Sequence, residues 1–218
     1  LRQMRFGPLP QTAVEVAEIS RLWQTKPVVL SGAAASEAAF RAEAPGKRVL
    51  HVATHGFFLG EQCGGAQRLV GEAATQSPLV LSGLALAGAN RRQAQDAEDG
   101  LLTAEEVAGL PLDGVEWVVL SGCDTGLGQI RAQEGVFGLR RAFQTAGAGT
   151  VIMSLWPVED RAAREWMRGL YTARLTKRLS TAESLREASR AMLAARRAAG
   201  QSTHPFFWAA FVGAGDWR

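Results

Sequence analysis

An α/β fold, with a mostly parallel central sheet flanked by helices, is predicted by three features of the sequence. Short β-rich runs alternate with helix-length amphipathic segments along most of the chain. Residues 117–120 (WVVL) form a nearly continuous apolar strand, as expected where helices cover both faces of a sheet. The 218 residues, 47% hydrophobic and 21% charged, carry no low-complexity stretch and are enough for one compact domain spanning 1–218.

Taken in order, the turn-forming GPLP of 7–10 is followed by residues 12–23, where Val14, Ala17, Ile19 and Leu22 recur at helical spacing. Lys26 and Pro27 stop that helix before a strand expected at 28–30. Ser36 caps a helix running to Glu43, Pro45 and Gly46 break it, and 49–53 is the next strand, ending at Thr54, His55 and Gly56. Residues 60–71 are Gly-rich and polar and read as a loop; 79–86 is a short β excursion and 91–99 another loop. Thr103 with Glu106 three residues later is a capping box opening a short helix that stops near Gly109 and Pro111. The strand at 117–120 then runs into Ser121, Gly122 and Cys123. A helix over 135–146, closed by Gly147 and Gly149, and a buried strand over 150–155 imply a βαβ crossover. Two longer helices, 160–177 and 181–199, precede the aromatic run 206–212, which returns to the sheet as a late strand.

The net charge of +3 and pI near 9.3 are mild, and the Arg residues are interleaved with Glu and Asp, so no nucleic-acid patch is indicated. No run of about 18 apolar residues offers a membrane span, and LRQMRF lacks the apolar core of a signal peptide, so a cytoplasmic address is the default. The first residue is Leu, and the chain reads as a module excised from a longer polypeptide. Two cysteines, Cys63 and Cys123, are too few for a disulfide framework and are expected as thiols, Cys63 as a loop thiol without a catalytic part.

In open α/β sheets the sites form at the carboxyl ends of the strands, and two strands here deliver His55 and Cys123 to that edge. An imidazole within reach of a thiol supplies both the base and the cation that a thiolate nucleophile needs near neutral pH. Gly56 and Gly122 let backbone approach a substrate closely, so the amides of Gly56 and Cys123 are candidate donors to a developing oxyanion. His51 and His55 lie four residues apart, but in a strand that is about 13 Å, too far to share a metal. His51 reads as a core histidine and His204 as structural. No cofactor is implied: clustered metal ligands and a phosphate loop are both absent from the sequence.

The segments HVATHGFF (51–58), SPLVLSGLALAGAN (77–90), GLLTAEEVAGLPL (100–112), VVLSGCDTGLG (118–128), EGVFGLRRAFQTAGAGTVIMSLWPVED (134–160) and HPFFWAAFVGAGDWR (204–218) resemble, in that order, the CHAT domain. This is the caspase-like domain found attached to tetratricopeptide repeats in bacteria, a relative of caspases and separase. The resemblance implies a caspase-type fold with His55 as general base and Cys123 as nucleophile of a cysteine endopeptidase in a bacterial signalling or defence pathway. It further implies a protein or peptide substrate and a tetratricopeptide-repeat or other sensor module as partner. SGCDTG departs from the caspase QAC signature, so aspartate specificity does not follow. LWPVED resembles the LWDVTD stretch of separase, which cuts after arginine, at Leu155, Trp156, Val158 and Asp160. By that match Asp160 lines an acidic pocket for Arg or Lys. Asp124, next to Cys123, is a second acidic candidate, and Trp156 either flanks a substrate pocket or fills the core. The alternative is a non-catalytic interaction or signalling module that keeps the fold.

Overall fold

The computed structural model describes residues 4–58, 79, 82–91, 98–121 and 132–217. Within these residues the strands make two sheets. The larger has the order β1 (Val49–Ala53), β5 (Trp117–Ser121), β6 (Thr150–Ser154), β7 (Phe211–Gly215). Its first three strands are parallel, in register Ala53↔Ser121 and Val119↔Ile152, and β7 runs antiparallel to β6 at the edge. The smaller sheet is antiparallel, in the order β2 (Gly56–Phe58), β3 (Ser82–Ala85), β4 (Leu101–Thr103).

Alternation along the strands sorts the core into two layers. Val118, Leu120, Val151 and Met153 face one way, with Leu50 and Val52, onto α2 (Glu37–Glu43), α3 (Ala104–Ala108) and α4 (Ala132–Thr145), which contribute Phe40, Val107, Leu139 and Phe143. Trp117, Val119 and Ile152 face the other way, onto α1 (Pro10–Ser20), α5 (Asp160–Tyr171) and α6 (Thr181–Ala198). Ile19, Trp166, Met167, Leu170, Tyr171 and Ala188 complete that layer, and the Trp166 ring stacks on Phe211 with centroids 4.4 Å apart. Because helices cover both faces, every residue of β5 and β6 is buried, which is why their middles, residues 117–120 and 151–153, read as apolar runs.

The helix boundaries follow local chemistry. Ser36 accepts from Ala39 N at the start of α2, and full capping boxes, Thr103 with Glu106 and Ser180 with Glu183, open α3 and α6. Gly100 has a φ of +82°, and a Cβ there would fall 2.1 Å from Ala89 N, so only glycine fits where the loop enters β4.

Several sequence expectations need correction. Residues 28–30 form no strand: Val28 and Val29 are exposed, and the described partner of β1 is β5 alone. The late strand lies at Phe211–Gly215 rather than 206–212, because Pro205–Phe207 is a 3-10 turn that His204 opens by accepting from Phe206 N through Nδ1. The helix expected to reach 177 ends its α-helical part at Tyr171 and continues as a π turn, Thr172–Thr176, closed by Lys177 N donating to Thr172 O. β2 and β4, three residues each, are too short to show a period in the sequence.

Candidate functional site

His55 sits in the two-residue gap between β1 and β2, where the chain leaves the carboxyl edge of the large sheet and enters the small one. Both neighbouring groups tie it to β3: the Thr54 hydroxyl donates to Ala85 O, and Ala85 N donates to His55 O at 2.8 Å. The side chain is buried, with 6% of the residue exposed. Its Nε2 lies 2.7 Å from Gly7 O, and the Phe6 ring covers it at a centroid distance of 5.6 Å. A carbonyl only accepts, so Nε2 carries the hydrogen in this contact. In the neutral ring the basic lone pair is then on Nδ1, the nitrogen a general base would use.

Gly56 follows directly. Ala85 N bonds to His55 O, which makes His55 and Ala85 a hydrogen-bonded pair of the antiparallel ladder; Gly56 and Leu84, the next pair, are then non-hydrogen-bonded. The N–H of Gly56 therefore points away from β3, on the same short segment as His55.

The other sequence candidates divide between described and undescribed residues. Cys123, Asp124 and Cys63 lie outside the described residues. Trp156 stands two residues beyond the end of β6, half-buried, its Nε1 donating to Phe206 O at 3.0 Å and its ring stacked on Phe206. Phe206 and Phe207 are exposed beside it, with Arg196 over the Phe207 ring at 4.2 Å. Asp160 is the first residue of α5, and its Oδ2 accepts from Gln11 N at 2.9 Å. Leu9, the N-cap residue of α1, supplies no side-chain cap, so Asp160 serves that end of α1 from a neighbouring helix. Since β1, β5 and β6 are parallel neighbours, the carboxyl ends of all three, with His55 just beyond β1 and Trp156 and Asp160 beyond β6, lie along one edge of the sheet.

His51 is a largely buried residue whose two ring nitrogens both meet polar partners. Nε2 lies 2.8 Å from Glu15 Oε1 and Nδ1 lies 3.1 Å from the Tyr171 hydroxyl. Burial, and then the nearby Glu15, push the Tyr171 phenol far up, so it keeps its proton. The assignment that satisfies all three groups has Nε2–H donating to Glu15 and the Tyr171 hydroxyl donating to Nδ1.

Sequence reasoning missed Gly7, because its contact is made by a backbone carbonyl and spans 48 residues. The one available hint was the turn-forming GPLP, which fixes where the N-terminal segment bends.

Among the described residues no group of three or more His, Cys, Asp or Glu is arranged to hold a metal ion, and no helix is long and apolar enough to cross a membrane. A family model described as the CHAT domain matches residues 1–216. The human protein named tetratricopeptide repeat protein 28 is 28% identical over 219 aligned residues, covering 95% of this chain and 8% of its own length. Its mouse counterpart is 35% identical over 112 residues, covering 51% of this chain and 4% of its own. The chain thus spans under a tenth of either relative.

Proposed function

The chain belongs to the CHAT domain family, and on that premise we propose that it is a cysteine endopeptidase with His55 as general base and Cys123 as nucleophile. The observation that carries this reading is the held imidazole: Nε2 is committed to Gly7 O, which leaves the lone pair of the neutral ring on Nδ1. Chain connectivity supports it. Ala53 and Ser121 are ladder partners on adjacent parallel strands, and each of the two reactive residues follows two positions later. Neighbouring strands of a sheet lie about 4.8 Å apart, so the strand ends that precede the two residues are neighbours.

In this mechanism Nδ1 takes the proton of the Cys123 thiol, and the thiolate attacks the scissile carbonyl carbon. The oxyanion accepts from the N–H of Gly56 and of Cys123. The tetrahedral intermediate expels the amine, which takes the proton back from the imidazolium, leaving a thioester at Cys123. Water, deprotonated by His55, then releases the acid and restores the thiol.

Cleavage after Arg or Lys is the finer part of the reading. It draws on Asp160 and Asp124, with Asp160 Oδ2 already accepting from Gln11 N and Oδ1 left to meet a guanidinium. Trp156 flanks that position. A tetratricopeptide-repeat module as sensor draws on the names of the two mammalian relatives, and a bacterial signalling or defence setting draws on the sequence resemblance alone.

One observation favours the alternative of a non-catalytic interaction module: His55 is almost wholly buried beneath Phe6 and Gly7. The two readings separate on intact mass after exposure to peptidyl electrophiles ending in Arg, Lys, Asp or Leu. The peptidase reading expects a single adduct at Cys123, abolished in Cys123→Ala and strongly reduced in His55→Ala, and fastest with Arg or Lys. Preference for Leu would sink the acidic pocket alone. No adduct with any probe, while iodoacetamide still modifies Cys123, would favour the interaction module.

A further inference from the structure

We propose that Asn90 is a positioning residue for His55, acting through the backbone of Phe6 and Gly7; this rests on the peptidase reading above. The Asn90 side chain holds the Phe6 backbone at two points: Phe6 N donates to Oδ1 at 2.9 Å, and Nδ2 donates to Phe6 O at 2.9 Å. A planar carboxamide bonded this way replaces the edge of a β-strand, and two parallel bonds fix rotation as well as distance. The next carbonyl along the chain is Gly7 O, the group that receives the Nε2–H of His55.

Gly7 has little means of holding itself. It has no side chain, it is exposed, and a Cβ added there would meet nothing within 4 Å. Pro8 biases it toward extended backbone but does not fix where the carbonyl points in space. The clamp one residue upstream supplies that restraint.

The turn carrying Asn90 is itself anchored. Leu86 N donates to Gly100 O, Ala87 N to Ala35 O, Ala89 N to Leu86 O and Arg91 N to Gly88 O. This turn continues β3, the strand whose Ala85 bonds to His55 O. The same element thus holds His55 twice, at its backbone through Ala85 and at its ring through Asn90, Phe6 and Gly7. A loop closed in this way keeps the imidazole at one orientation, the condition for a base that must meet a thiol with a fixed nitrogen.

The test combines ring-nitrogen NMR of His55 with the rate and pH profile of Cys123 alkylation by iodoacetamide, in the wild-type chain, Asn90→Ala and Asn90→Asp. The aspartate keeps the acceptor for Phe6 N and loses the donor to Phe6 O. Expected are a single Nε2–H tautomer in the wild type, mixed tautomers in Asn90→Ala, an alkylation rate lowered about tenfold, and a partial effect in Asn90→Asp. Because Asn90 is exposed, the melting temperature should change little. An unaltered tautomer in Asn90→Ala overturns the proposal, whether or not stability falls. Should His55→Ala leave the alkylation profile of Cys123 unchanged, the peptidase reading fails by itself, and the tautomer measurement still decides the role of Asn90.

Discussion

Glu37 is the first residue of α2 and only 2% exposed, yet its Oε1 meets no hydrogen-bond partner among the described residues. Burial, then the charges of Glu106, Asp99 and Glu98, raise its carboxyl from an ordinary 4.5 to about 7, with Arg41 pulling the other way. The folded chain therefore holds this proton more tightly than the unfolded chain does. The corresponding stability is full below about pH 4.5 and is lost as the pH rises through about 7. Glu37→Gln, which keeps the neutral shape, should melt close to the wild type at pH 4.5 and above it at pH 8. The gap should be about 2–4 °C for each kcal/mol recovered. Thermal unfolding at the two pH values checks this, and a gap that does not widen with pH would mean that Glu37 finds a cationic partner.

At the scale of elements, the small sheet is what presents His55, and its tolerance is set by Gly83. A Cβ on Gly83 would fall 2.5 Å from Leu102 O and 2.6 Å from the Phe57 ring, between the two neighbouring strands. The ring can rotate; the carbonyl belongs to β4 and cannot yield without moving the strand. Gly83→Ala is thus expected to cost about 1–3 kcal/mol and to slow Cys123 alkylation, since β3 carries the bond to His55 O. Differential scanning calorimetry and the alkylation rate measure the two effects, and an unchanged melting temperature would contradict this strand packing. The same sheet marks where sequence reading runs out. β1, α2 and the Thr103 capping box were legible because an apolar run, a Ser cap and a Glu three residues on are local signals. β2 and β4 owe their strand character to partners far along the chain, and three residues cannot show a period of two.

Across the whole molecule, the candidate site is legible in the sequence only where side chains announce chemistry. His55 and Gly56 stand at a strand end that the sequence marks; Gly7 meets the His55 ring through its backbone carbonyl, and the Asn90 side chain bonds the Phe6 backbone, contacts whose partners are fixed by topology rather than residue type. What keeps the N-terminal segment in place is another long-range contact, Glu15 of α1 to His51 of β1 and on to Tyr171 of α5. All three side chains are largely or wholly buried, so each depends on the others for its hydrogen bonds. His51→Leu strands the Glu15 carboxylate in the core and is expected to cost about 3–5 kcal/mol. Adding Glu15→Leu removes that stranded charge and leaves the Tyr171 hydroxyl as the group without its partner, a lesser penalty of about 1–3 kcal/mol. The double variant should therefore be more stable than His51→Leu alone, an inversion of ordinary additivity that urea unfolding of the wild type, both single variants and the double variant measures. Costs that simply add would show that Glu15 reaches water or another donor once His51 is gone.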